Sequence, residues 1–188
     1  MGIDLGTQSL KVVFYDFAAR EILASESAPL DLYQNDDGAA EQHAHWWLDA
    51  LHDAQGRVGH DVRGSAVAVG VSGQQHGFVP VSKNGEVLAR VKLWCDTSTV
   101  AECDEITEAF GGAQKCLDEV GNLVLRGYTA SLIRWFATVG GFLYEQMDCI
   151  MLPHDYLKFY LTGERGMEAG DASGPGLRTC RTRAGSPG

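Results

Sequence analysis

The sequence predicts an α/β fold in one compact unit, without internal repeats or linkers. Residues 3–27 alternate short strand-like runs with turns and leave no room for a helix between them, the mark of a strand meander. Residues 41–55 and 154–163 place apolar side chains at helical spacing. Between them, residues 66–71, AVAVGV, form a nearly all-apolar run of the kind that suits a strand buried on both faces.

Taken in order, Ile3 and Leu5 start the first strand, Lys11 to Asp16 forms the second, and Glu21 to Ser27 the third after a Phe17-Ala18-Ala19 turn. Glu41 to Gln55, EQHAHWWLDALHDAQ, is expected to be helical, with Trp46, Trp47, Leu48 and Leu51 on its buried side. The apolar run at 66–71 ends in a polar loop, SGQQHG. Phe78 to Ser82 and Glu86 to Val91 flank Lys83-Asn84-Gly85, and Asn-Gly is a strong hairpin signal. LWCDTSTVAECDEITEAF then passes from a strand end into a helix, with Asp96 or Thr97 placed to accept the free N–H groups of the first turn. Thr129 is placed to cap a further helix, ASLIRWFATV; CIMLP (149–153) reads as a short buried strand, and HDYLKFYLTG as a helix closed by Gly163.

At 188 residues, 45% hydrophobic and 21% charged, the chain is long and apolar enough to bury a sizeable core. Its net charge of -10 disfavours nucleic acid and acidic lipid, since either polyanion would be repelled. A small-molecule partner is the expectation, with no nucleic acid and no membrane. No apolar run approaches the ~20 residues of a membrane helix, and the N-terminus lacks the basic-then-apolar pattern of a secretory signal, so the expected location is cytoplasmic. Five cysteines without a C-x-x-C pair indicate neither a disulfide framework nor a zinc site. His43 and His45, two residues apart, would face different sides of a helix and do not read as a metal pair. Residues 177–188 carry Arg178, Arg181 and Arg183, one large apolar residue and no periodicity, the make-up of a disordered end.

The first chemistry-bearing segment is the polar turn Asp4-Leu5-Gly6-Thr7-Gln8-Ser9. A strand follows it, whereas a dinucleotide-binding glycine fingerprint leads into a helix; a P-loop would need G-K-[ST]. Two readings remain: a plain hairpin, or a hairpin that holds phosphate. In the second, Gly6 lets backbone approach a ligand, Thr7 and Ser9 supply hydroxyl and N–H donors, Lys11 a positive charge, and Asp4 a carboxylate for hydrated Mg2+.

GIDLGTQSLKVVFYD resembles the first phosphate-binding hairpin of the actin, Hsp70 and hexokinase superfamily, and of the FGGY carbohydrate kinases in particular. EQHAHWW, VGVSGQQHGFVPVSKNGEVL, LWCDTSTVAEC, MLPHDYLKFYLTGE and GDASG resemble further segments of that family in the same order, over residues 2–176, and most nearly those of its xylulokinase group. The resemblance implies a ribonuclease H-like α/β domain, a mixed sheet with flanking helices, that forms the N-terminal, sugar-binding part of a kinase using ATP and Mg2+ on a ketopentose. Asp4 would be the metal-linked, catalytically important carboxylate, reaching Mg2+ through water, with Thr7, Gln8 and Lys11 along the phosphate path. Gln75 and His76 would meet the sugar hydroxyls, which both can donate to and accept from. Trp94 and Asp96 would wall the sugar site, with Asp96 as a simple helix cap the competing reading. Gly127 stands where glycerol kinases carry a tyrosine, which would leave room for a larger polyol; Asp171 is read as a turn residue in preference to one standing behind the site.

The same resemblance implies that the ATP-binding C-terminal domain and the general base lie outside this sequence. A base contributes roughly 100- to 10,000-fold, and holding ATP against the sugar on the order of 7–11 kcal/mol, so the chain alone is expected to be inactive or nearly so. Written with G/C-rich codons, residues 177–187 read in a displaced frame resemble the family's continuation, and a frameshift near Leu177 is the expectation. Surface left exposed by truncation would favour a homodimer. A kinase for glycerol, ribulose or another polyol, and a non-catalytic polyol-binding or assembly fragment, are the alternatives.

Overall fold

The computed structural model describes residues 1–167 and 171–173, so the expected disordered end and displaced frame at 177–188 lie outside the described residues. Its elements are β1 (Gly2–Leu5), β2 (Ser9–Asp16), β3 (Glu21–Pro29), β4 (Tyr33–Gln34), β5 (Ala40–Gln42), α1 (Ala44–Gly56), α2 (His60–Gly64), β6 (Gly70–Gly73), β7 (Val79–Ser82) and β8 (Val91–Lys92). There follow α3 (Val100–Phe110), α4 (Ala113–Glu119), α5 (Thr129–Val139), α6 (Phe142–Glu145), β9 (Met147–Met151), α7 (Pro153–Thr162) and a 3-10 turn at Asp171–Ser173.

The meander forms as its alternation predicts, and β6 joins it parallel to β1, giving a mixed sheet in the order β3-β2-β1-β6. Ile3, Leu5, Leu10, Val12 and Phe14 share one face and pack with Trp47, Ala50 and Leu51 of α1. Fully burying each large apolar side chain of this kind stabilises by about 1.5–3 kcal/mol. On the opposite face the register sets Asp4 across from Lys11, both exposed. A second small core, Phe78 with Leu132 and Phe136, holds α5 against the strand start before β7.

Several expectations change. Ala40–Gln42 is strand, not the first turn of a helix: Glu41 pairs with Lys92 and Gln42 with Val91, and α1 begins only at Ala44. On α1, Trp47 and Leu51 are buried, whereas Trp46 and Leu48 are half-buried. The 66–71 run is not buried on both faces. Only its end enters β6, the outer strand of its sheet among the described residues, and Val67 and Val69 are 98% and 51% exposed. The Asn84-Gly85 hairpin forms in short: Gly85 N–H donates to the Ser82 carbonyl, Ser82 N–H to the Glu86 carbonyl and Leu88 N–H to the Pro80 carbonyl, with Val81 bridging Val87, while the longer ladder of β7 is made with β9. Thr99 precedes α3 and Tyr128 precedes α5, neither with a side-chain cap, in place of Asp96, Thr97 or Thr129. His43 lies before α1 and not on it, so its ring and that of His45 stand 5.0 Å apart; among the described residues no group of metal-ligating side chains converges there or elsewhere. The four cysteines among the described residues are free thiols.

Candidate functional site

Strand β1 and its parallel neighbour β6 both run out at one sheet edge, and the two expected ligand-binding segments leave from there. Ligands of open α/β sheets bind at such carboxyl edges. From β1 comes the polar turn, closed by Gly6 N–H donating to the Ser9 carbonyl at 3.0 Å; a Cβ on Gly6 would stand 3.0 Å from that same oxygen, so glycine keeps the turn tight. Asp4, Gln8 and Lys11 are exposed, and Thr7 is half-buried.

From β6 comes the loop with Gln74, Gln75 and His76. It is wedged at both ends: a Cβ on Gly73 would meet the Leu5 carbonyl at 2.9 Å, and one on Gly77 would meet Pro153 Cγ at 2.6 Å. Gly77 N–H donates to the Gln75 carbonyl at 2.7 Å, closing a three-residue turn around His76, whose φ is +60°. A non-glycine residue held there is strained by about 1–3 kcal/mol. Its surroundings hold it in place: the imidazole stacks on Tyr128 at 4.1 Å and 10°, and Thr129 Oγ1 donates to its carbonyl at 3.0 Å. Burial pushes the His76 pKa below its ordinary value, against an opposing pull from Asp171, so the ring is neutral at pH 7 and keeps one donor and one acceptor nitrogen. Nδ1 is buried with no hydrogen-bond partner. A buried polar atom without a partner is rare, and Asp155 Oδ2 is another among the described residues.

The remaining expected residues divide. Trp94 is 53% exposed, and its indole N–H donates to Thr7 Oγ1 at 2.9 Å, which places the ring beside the hairpin turn. Asp96, by contrast, is not a sugar contact. Its carboxylate is fully buried and accepts from Lys92 Nζ at 2.7 Å, Ala40 N–H at 3.0 Å, and both the N–H and the hydroxyl of Ser98. Burial opposes its ionisation, yet these donors outweigh burial and hold its pKa below the usual carboxylate range. Lys92 is itself buried, with Glu41 at 3.6 Å and the Trp135 ring at 4.4 Å. Gly127 is also corrected: a Cβ there would stand 1.9 Å from the Trp94 carbonyl at φ +75°, so the glycine marks backbone packed on backbone and not an emptied pocket.

Gln75 is exposed, and its Nε2 donates to Asp171 Oδ1 at 2.5 Å; Asp171 Oδ2 faces His154 Nε2 at 3.1 Å. Asp171 therefore stands behind Gln75 and is more than a turn residue. His154, Tyr128, Gln74 and Gln42 escape a reading of the sequence. Gln42 had one usable signal, a glutamine directly before the apolar face of a helix; Tyr128 and His154 reach the loop only through contacts far apart in sequence.

Three comparisons with known proteins bear on this site. The N-terminal domain model of the FGGY family of carbohydrate kinases matches residues 1–184. A xylulose kinase of Haemophilus influenzae is 37% identical over 183 residues, which cover 94% of this chain and 37% of that protein; one of Streptomyces coelicolor is 32% identical over 184 residues, covering 98% and 38%. The crystal structure of a "xyloylose kinase" from Brucella ovis superposes with a TM-score of 0.89 at 28% identity, covering 98% of this chain and 38% of that one. The chain thus spans less than two-fifths of the length of these relatives.

Proposed function

Because the chain belongs to the FGGY family of carbohydrate kinases, we propose that residues 1–176 are the acceptor-binding N-terminal domain of an ATP-dependent kinase that phosphorylates D-xylulose to D-xylulose 5-phosphate, as in xylose metabolism. The observation that carries this reading is His76: a strained backbone, a stacked neutral ring and a buried nitrogen without a partner, at the sheet edge where the Asp4–Lys11 hairpin also ends. An imidazole of this kind takes one hydrogen bond from, and gives one to, the vicinal hydroxyls of a polyol. Gln75, steadied by Asp171, offers a further amide, and the exposed Trp94 ring an apolar wall.

Phosphoryl transfer in such kinases rests on positioning and on stabilising charge. MgATP, when bound, supplies the phosphoryl group and neutralises the charge that develops as it moves. Lys11 would add a cation along the phosphate path, and Asp4 would hold the magnesium through water. Among the described residues no three carboxylate, imidazole or thiolate groups converge, so a metal at Asp4 would draw its other ligands from water and phosphate. The base that accepts the sugar proton is assigned to no group of these residues, and the chain alone is expected to bind sugar without family-like turnover. A homodimer belongs to the same reading, supported by the exposed Phe17, Ile22 and Val67; a monomeric sedimentation profile would remove it.

Titration calorimetry tests the substrate. D-Xylulose is expected to bind more tightly than ribulose or glycerol, and His76→Ala to abolish the signal. Preference for another polyol, or no sugar binding, would overturn the assignment. Coupled ADP release at family-like rates from the pure chain would overturn the expectation of inactivity.

A further inference from the structure

Behind the hairpin turn lies a buried glutamine that no ligand would touch. Gln42 is 0% exposed, and every hydrogen-bonding position of its amide is filled. Its Nε2 donates to the Thr7 and Asp31 carbonyls, both at 2.8 Å, while its Oε1 accepts from Trp47 Nε1 at 2.9 Å and from Gln74 Nε2 at 3.2 Å. Gln74 Oε1 in turn accepts from Thr7 Oγ1 at 3.3 Å, and Thr7 Oγ1 accepts from Trp94 Nε1 at 2.9 Å. An indole nitrogen only donates, so the two tryptophans fix the sense of the whole arrangement: Trp47 sets which end of Gln42 is oxygen, and Trp94 must occupy a lone pair of Thr7. The contacts close into a ring, Thr7 hydroxyl to Gln74 to Gln42 and back to the Thr7 carbonyl.

Thr7 has one hydroxyl proton, and Gln74 takes it. That hydroxyl is therefore turned away from the role the sequence suggests, donation to a phosphate oxygen, and faces the network that carries Trp94. We propose that Gln42 is a positioning residue of the acceptor site: through Gln74 and Thr7 it fixes the Trp94 indole, so that the phosphate hairpin and the sugar wall are held as one unit. This rests on the reading of Trp94 as part of the sugar site.

The test combines nuclear magnetic resonance of the tryptophan indole N–H groups with calorimetry of D-xylulose, both on the full chain. Thr7→Val, which keeps the shape and removes the hydroxyl, should speed exchange of the Trp94 indole proton with water and weaken D-xylulose about tenfold, while Thr7→Ser stays within about twofold on both counts. Gln42→Leu should release Trp94 and also Trp47; if it does not fold, Gln74→Leu interrupts the same ring from its other joint. Unchanged Trp94 exchange in Thr7→Val overturns the circuit. Faster exchange with unaltered D-xylulose affinity overturns its role in binding. An unaltered chain that binds no D-xylulose defeats the substrate reading instead, and the indole comparison then decides the circuit by itself.

Discussion

Asp96 and His76 look alike in the sequence, two polar residues at the ends of apolar runs, both expected to meet a sugar. In the fold they are opposites. Asp96 is 0% exposed, with its acceptor positions filled by Lys92, Ala40 and Ser98; His76 is bent into a left-handed turn with Nδ1 unmet. A residue that serves the framework has its polar atoms satisfied by the protein. His76, which is proposed to serve a ligand, is held at a cost with one of them open.

The contrast breaks most readily at Asp96. Asp96→Asn should destabilise the chain by about 3–5 kcal/mol in urea titration, because it removes the 2.7 Å ion pair of the buried Lys92 and leaves it only the longer 3.6 Å contact with Glu41. If the loss is small and D-xylulose affinity falls instead, the two residues have been assigned the wrong way round. Gly127→Ala tests the wall behind Trp94: with a Cβ directed at the Trp94 carbonyl and φ at +75°, a loss of about 2–4 kcal/mol is expected in the same titration. His76→Gly should separate folding from binding. Relief of the positive φ offsets the lost stacking on Tyr128, so the stability change should stay within about 1 kcal/mol, while D-xylulose binding is lost to calorimetry.

The smallest effect is in pH. The folded His76 pKa lies below the unfolded value of 6.5, so the unfolded chain binds more protons in the interval between them. Stability carried by the neutral ring is complete above pH 6.5 and declines as pH falls toward the folded value. Asp96, with its folded pKa below the ordinary 3.8, loses its contribution only at more acidic pH, as pH falls through the folded value. In urea titrations between pH 7 and 5 the unaltered chain should therefore lose stability relative to His76→Gly as the pH drops; parallel curves would show that His76 does not carry the slope.

The parts of the fold that were legible in the sequence are those decided locally. The meander, the Asn84-Gly85 turn and the Gly163 stop each rest on a few adjacent residues. Ala40–Gln42 was misread because its helical spacing is overruled by pairing with Val91–Lys92, far along the chain. The 66–71 run was misread because an apolar stretch reports hydrophobicity and not what covers it. At the candidate site, Gln75 and His76 were put forward from the family resemblance of the loop that carries them. Asp171 and His154 reach Gln75 only through folding, and the proton commitments of Gln42, Gln74 and Thr7 exist only in three dimensions.

The exposed Val67 and Val69 carry a practical consequence for handling the molecule. They lie beside an outer parallel strand in a segment, Ala66 to Val71, that has no charge, and natural sheets guard such borders with lysine or proline. Concentration, not temperature, is then the first limit on samples of this chain: particles should grow in light scattering at protein levels where the melting curve is still unchanged.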